Sequence, residues 1–273
     1  MGTLDGKVAF ITGIGRGQGR AHAQRLSADG ASIIGIDICA NVDSMDYPNA
    51  SDADLKETVR LVEQQGGRII AQQADVRDPD ALGAALDRGV GEFGRLDIVV
   101  ANAGIIRLSP NGDIDPSQIW TDIIDTNLTG VWHTTRLAIP HIVAGGRGGS
   151  VVITSSTAGI KGTGTDRAGG QAYTAAKRGL VGLMQVLANQ WASERIRVNT
   201  IHPTGVASGM TMNDAMISLV AEGDVALAAM QNALPIEILQ PSDIANAVAW
   251  LVSDEASFVT GVALPLDAGF TVR

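Results

Sequence analysis

Seven short apolar runs rich in β-branched residues recur along the chain, at 8–12, 32–37, 68–74, 98–101, 151–155, 197–201 and 262–266. Stretches of helical spacing separate them, at 17–29, 54–65, 79–93, 116–144, 171–194 and 242–253. An uninterrupted apolar strand is buried on both faces, which requires parallel pairing and a helix in each crossover. The expectation is therefore an α/β fold: a single doubly wound domain spanning 1–273, with helices on both faces of a seven-stranded parallel sheet. Right-handed crossovers and two halves meeting at a switch point give the strand order 3-2-1-4-5-6-7, with ligands at the carboxyl ends of the strands. No repeat, low-complexity tract or linker interrupts the alternation.

The first crossover holds the clearest binding signal. "VAFITGIGRGQGRAHAQRL" is a strand, a glycine turn and an amphipathic helix, with Gly13, Gly17 and Gly19 spelling G-x-x-x-G-x-G. Glycines there let the backbone approach a pyrophosphate, and the helix N-terminus offers unpaired amides and a positive dipole end. Asp37, closing the next strand, stands near the spacing at which a carboxylate accepts hydrogen bonds from an adenosine ribose. Together they indicate a Rossmann-type dinucleotide site. Arg16 could pair with a 2′-phosphate, but Asp37 would face that same dianion, so NAD is expected over NADP.

A second constellation follows the fifth strand. Ser155 and Ser156 end that strand, and Tyr173 and Lys177, four apart, share one face of the next helix. A tyrosine of ordinary pKa is a poor base at neutral pH, so an adjacent ammonium that favours phenolate supplies the needed tuning.

These motifs, with "ADV" at Asp75, "ANAG" at Asn102, "NLTGVW" at Asn127, "RVNTIHP" and "VTGVALPLDAG", resemble the short-chain dehydrogenase/reductase family from Lys7 to Gly269. The resemblance implies hydride transfer between nicotinamide and a carbinol or carbonyl carbon. In that scheme Tyr173 moves the hydroxyl proton, Lys177 tunes it and binds ribose, Ser156 holds the substrate oxygen, and Asn127 kinks its helix for a relay water. It also implies cofactor contacts at Gln18, Ile38, Cys39, Asp75, Val76, Asn102, Ala103, Gly104, Pro203, Val206 and Ser208. Two departures stand out: "GTGTDRAGG" lengthens the serine-to-tyrosine connection, and Thr204 replaces the usual glycine after Pro203. The resemblance extends to the mycofactocin-associated, carveol dehydrogenase-like subgroup. That implies a neutral apolar, cyclic secondary alcohol or ketone, a homotetramer, an NAD that does not exchange freely and an external redox carrier. A 3-oxoacyl thioester reductase and a non-catalytic NAD(H) sensor are the alternatives; the sensor would not need the proton relay.

Composition excludes other classes. A formal net charge of −9 repels nucleic acid and anionic membranes. One cysteine, Cys39, forbids an internal disulfide and is expected to be inert. No apolar run is long enough to span a bilayer, and a cytoplasmic protein is expected. No histidine or carboxylate cluster has metal-ligand spacing, and His202 is expected to be structural. The stretch 204–235, with Met210, Met212, Met216, Leu219, Val220, Leu227 and Met230, suggests a substrate lid. The polar loop 38–53 starts directly after Asp37 and is expected to fold over the cofactor.

Overall fold

The computed structural model describes residues 2–164, 166–224 and 231–273. Seven parallel strands, β1 (Val8–Thr12), β2 (Ser32–Asp37), β3 (Ile69–Gln73), β4 (Ile98–Ala101), β5 (Gly149–Thr154), β6 (Ile196–Pro203) and β7 (Ala263–Leu266), form one sheet. Their order is β3-β2-β1-β4-β5-β6-β7. Successive β1 residues serve two cores: Val8 and Phe10 pack on one face, Ala9 and Ile11 on the other. This double burial explains why the strand reads as an unbroken apolar run.

Helices α1 (Gly17–Ala28) and α8 (Pro241–Val252) cover the second face, where Ala23, Leu26, Ile244 and Val248 meet Ile33 and Val100. On the first face lie α3 (Pro79–Phe93), α5 (Gly130–Gly145) and α6 (Ala168–Gln190). Their Leu82, Leu86, Ile139, Ile142, Leu180 and Met184 seal Phe10 and Val99. The remaining helices are α2 (Asp52–Gln64), α4 (Pro116–Ile124) and α7 (Asp214–Ala221). Ser51 caps α2 in a reciprocal box with Asp54, which ends the preceding loop at a defined residue.

The structure departs from the sequence expectations at two helices. The helix expected over 116–144 is two helices joined by a π turn, Asp125–Thr129. The helix expected from 171 starts at Ala168. Gly169 and Gly170 are poor helix formers, but a Cβ on Gly169 would lie 2.0 Å from the Arg107 carbonyl oxygen, so only glycine fits that turn.

His22, on the buried face of α1, is fully enclosed and has no hydrogen-bond partner for either ring nitrogen among the described residues. Burial lowers its pKa to about 4. The unfolded chain thus binds a proton near pH 6.5 that the folded chain refuses until about pH 4. Stability is present above the upper value and is lost as pH falls through that window, by on the order of 3 kcal/mol. His22→Leu is expected to abolish that slope in thermal melts between pH 6.5 and 4, and to raise stability at neutral pH by relieving two unpaired polar atoms. Melts of wild type and variant that stay parallel across the window would refute it.

Candidate active site

One cleft runs along the carboxyl edge of β1, β2 and β4. Gly13, Arg16, Gly17, Gln18, Gly19, Asp37, Ile38, Asp75, Val76, Asn102, Ala103, Gly104 and Ser208 line it, together with Thr126, Tyr47, Asn49, Ala50 and Met210. Its floor is a close contact: a Cβ on Gly19 would lie 1.9 Å from the Gly13 carbonyl oxygen. The α1 N-terminus has no side-chain cap, which leaves its first amides for an anion. Buried Gln18 Oε1 and Thr126 Oγ1 in the lining have no protein partner among the described residues, as expected where a polar ligand completes the site. Five of the expected cofactor contacts lie outside the lining: Cys39, Tyr173, Lys177, Pro203 and Val206. Cys39 packs beside the second core, and its thiol is pushed up to about 11 by burial and then by Asp37, so it is inert. Pro203 closes β6, and Val206 is buried, bridged to Leu239.

Asp37 is held in place by the turn it faces. Its Oδ2 accepts from Gly15 N at 2.8 Å, and burial raises its pKa. Arg16 is engaged elsewhere: its guanidinium donates to the Pro48 carbonyl and lies against Gly209. The carboxylate thus lines the cleft beside the glycine turn, while the nearby guanidinium is tied to the long loop. Asp37→Ser is expected to weaken NAD by about tenfold or more and to gain NADP binding. Titrations that leave the NAD/NADP ratio unchanged would show that Asp37 does not set it.

Thr12 aligns the next wall. Its Oγ1 accepts from Asn102 N at 3.0 Å and Ala103 N at 3.1 Å, while Asn102 Nδ2 returns a bond to Thr12 O at 3.0 Å. Gly104 then brings this wall to the reactive groups: a Cβ there would stand 3.0 Å from Asn127 Oδ1 and 3.4 Å from Lys177 Nζ. Asn127 is fully buried in the π turn and pairs twice with Ile105, accepting from its N at 2.8 Å and donating to its O at 2.7 Å. The π turn and this two-way tie coincide at Asn127, as is common where such turns occur at functional sites.

Lys177 is 3% exposed, donates to Thr154 O at 2.8 Å, and stands 5.5 Å from the Tyr173 ring centroid. Burial lowers the lysine to about 7 and raises the tyrosine, with Ser156 pulling the phenol back through a hydrogen bond. Each charge is disfavoured alone, so phenolate and ammonium favour one another as a pair. Ser156 Oγ accepts from Ala158 N at 3.2 Å, and its carbonyl engages His202 Nδ1 at 2.7 Å. The other nitrogen of His202 meets Thr200 Oγ1 at 2.8 Å. His202 is structural, as expected, but what it holds is the backbone of the catalytic serine candidate. Thr12, Thr154 and Tyr47 were not expected at the site. Their only sequence signal is a polar side chain at a strand tip or inside the long loop.

The family model for short chain dehydrogenases matches residues 7–216. The chain belongs to that family. It is 44% identical to (-)-trans-carveol dehydrogenase of Rhodococcus erythropolis over the full length of both proteins. An uncharacterised oxidoreductase of Mycobacterium tuberculosis is 54% identical, with 98% of this chain and 97% of that protein covered. The crystal structure of carveol dehydrogenase from Mycobacterium avium in complex with NAD superposes with a TM-score of 0.92 at 45% identity, covering all of both chains. Within this dehydrogenase fold the long loop after β2 is well packed. Val42, Met45, Tyr47 and Ala50 are buried, with Val42 and Met45 against Ile105, Ile119 and Ile123. Ser44 Oγ donates to Asp122 at 2.6 Å, Arg107 donates to Ser44 O at 3.1 Å, and Ser109 bonds Asp46.

The segment expected as a lid contributes α7. Leu219 is buried, and Met210, Met216 and Leu219 line a small hollow with Tyr47, Ile106 and Leu108. Met212 and Val220 face solvent instead, because they fall on the outer side of the segment. Leu227 and Met230 lie outside the described residues. Arg167, ahead of α6, joins Asp224 at 2.9 Å and donates to the Leu108 carbonyl, so the lengthened connection ties the end of this segment to the β4–α4 loop. Thr204 Oγ1 donates to Asn232 at 3.1 Å. No group of metal-ligating side chains occurs among the described residues, and no described helix is long and apolar enough to cross a membrane.

Proposed function

We propose that the protein is an NAD-dependent dehydrogenase of neutral, apolar, cyclic secondary alcohols, of the carveol type, in which NAD stays bound between turnovers. The observation that carries this reading is the loop 38–51, whose Val42, Tyr47, Asn49 and Ala50 line the dinucleotide cleft and which is bonded to Asp122, Arg107 and Ser109. A cofactor under such a cover leaves only when several bonds open together. The substrate class is supported by the full-length similarity to carveol dehydrogenases and by the Leu108, Met210, Met216 and Leu219 side chains beside the site. A polyanionic carrier-bound thioester fits a chain of net charge −9 less well.

The cofactor would be held by the α1 amides, the Gly13–Gly19 turn, Asp37, Asn102 and Lys177, and when bound it would supply the acceptor for the hydride released from the carbinol carbon. Ser156 donates to the substrate oxygen, and Tyr173, as phenolate, takes its proton. Lys177 stabilises that phenolate and is held in place by Thr154. Asn127 fixes the β4–α4 loop beside them through Ile105. A retained cofactor must be reoxidised in place, so an external redox carrier is part of the proposal. The half-exposed Trp120, Trp132 and Trp250, with fully exposed Phe258, are the surfaces through which a homotetramer would form.

Two measurements test the reading. Protein purified without added nucleotide is expected to carry NAD through gel filtration, and to oxidise cyclic secondary alcohols with an artificial electron acceptor but poorly with added NAD alone. Nucleotide-free protein that turns over freely on added NAD would overturn the retention; no preference for cyclic over linear alcohols would overturn the substrate class.

A further inference from the structure

Tyr47 sits inside the loop 38–51 and is 8% exposed, with its side chain lining the dinucleotide cleft. Its Oη accepts from Ile106 N at 3.1 Å, which leaves the hydroxyl proton unspent, and no acceptor for it occurs among the described residues. A buried O–H without an acceptor is costly, and buried polar groups are almost always paired once the ligand is in place. The neighbours indicate where that acceptor must be. Tyr47 shares the cleft lining with Arg16, in the glycine turn, and with Gly104, whose Cβ position is 3.4 Å from Lys177 Nζ, and both Arg16 and Tyr173 are near enough to influence the phenol electrostatically. A dinucleotide laid along that cleft would pass these residues with its pyrophosphate and nicotinamide ribose, which are rich in oxygen acceptors. Arg16 also holds the Pro48 carbonyl, fixing the residue next to Tyr47 over the same stretch.

We propose that the Tyr47 hydroxyl donates a hydrogen bond to an oxygen of the pyrophosphate or nicotinamide ribose of bound NAD, so that the loop binds the cofactor directly as well as covering it. The proposal rests on the reading that loop 38–51 lies over NAD. Its Oη acts in both directions at once, accepting from the β4–α4 loop and donating to the cofactor. The same group thereby ties the cofactor to Ile106, the neighbour of the residue that clasps Asn127.

The test is calorimetry with NAD, ADP-ribose and AMP on nucleotide-free wild type and Tyr47→Phe, which keeps the buried ring. NAD and ADP-ribose share the pyrophosphate and second ribose; AMP has neither. Tyr47→Phe is expected to weaken NAD and ADP-ribose by a common factor of about ten or more and to leave AMP unchanged. Ser44→Ala, which cuts the bond to Asp122 but spares the phenol, calibrates simple loosening of the loop, with all three nucleotides weakened alike. If Tyr47→Phe shows that uniform pattern, the hydroxyl only braces the loop and the proposal is wrong. If it slows single-turnover hydride transfer while all three affinities hold, the hydroxyl serves only to seat Ile106, and the proposal is again wrong. Rapid NAD exchange by the wild type would sink the retention reading, yet the ratio between wild type and variant would still decide the role of Tyr47.

Discussion

Tyr173→Phe is expected to lower alcohol oxidation about a thousandfold, within the range that a positioned acid–base group contributes, while NAD remains bound. The ring is partly buried, packed against Lys177 and the cluster of Ile105, Ile119 and Ile123, so phenylalanine keeps the packing and removes only the atom that moves the proton. Its partners Lys177 and Asn127 are themselves buried, which holds the phenol in one setting. Burial alone pushes the phenol pKa up and brings Lys177 to about 7. The pair therefore gives up a proton jointly, and wild-type activity should rise with pH as the phenolate forms beside the ammonium. In Tyr173→Phe the residual rate should lose that limb. A variant that keeps wild-type turnover and still binds NAD would remove Tyr173 from the chemistry, whereas a wild type that binds NAD without oxidising any alcohol would favour a sensor.

The elements legible in the sequence are those whose cause is local or repeats along the chain. β1 is apolar from Val8 to Ile11 because both of its faces are buried, and the α1 turn announces itself because only glycine at 19 lets the helix meet the strand tip. The features that were missed have long-range causes. The kink at Asn127 is implied by the family resemblance, but nothing in "DTNLT" itself distinguishes a π turn from a helix; Asn127 there bonds the backbone of Ile105, 22 residues away. The early start of α6 runs against the helix propensity of Gly169 and Gly170, and it is set by the Arg107 carbonyl from another loop. Thr154 and His202 each act through one backbone contact, to the Lys177 ammonium and the Ser156 carbonyl. Tyr47 is one of only two tyrosines in the chain, but it sits in a polar loop with no periodicity to mark it.

Shortening the loop by removing residues 42–51 is expected to speed NAD dissociation by about a hundredfold or more. The estimate follows from what must open for the nucleotide to leave. Closure buries Val42, Met45 and Tyr47 and makes hydrogen bonds from Ser44 to Asp122, Arg107 to Ser44, and Ile106 to Tyr47. Each net hydrogen bond contributes about 1 kcal/mol and each buried large apolar side chain about 1.5–3 kcal/mol. Part of that is spent on ordering the loop, and a residual of about 3 kcal/mol corresponds to a hundredfold in rate. Deletion also uncovers Ile119 and Ile123, so a second protein, Ser44→Ala with Asp46→Ala, should accompany it. That protein cuts two latches at full length and should speed release to a smaller degree. Release is read by diluting the loaded enzyme into a nucleotide trap. The consequence for function is a change of regime: the shortened enzyme should generate free NADH from added NAD and alcohol, whereas the wild type should need an electron acceptor that works on the bound cofactor. If both altered proteins fold and release NAD at the wild-type rate, the loop is not what retains the cofactor.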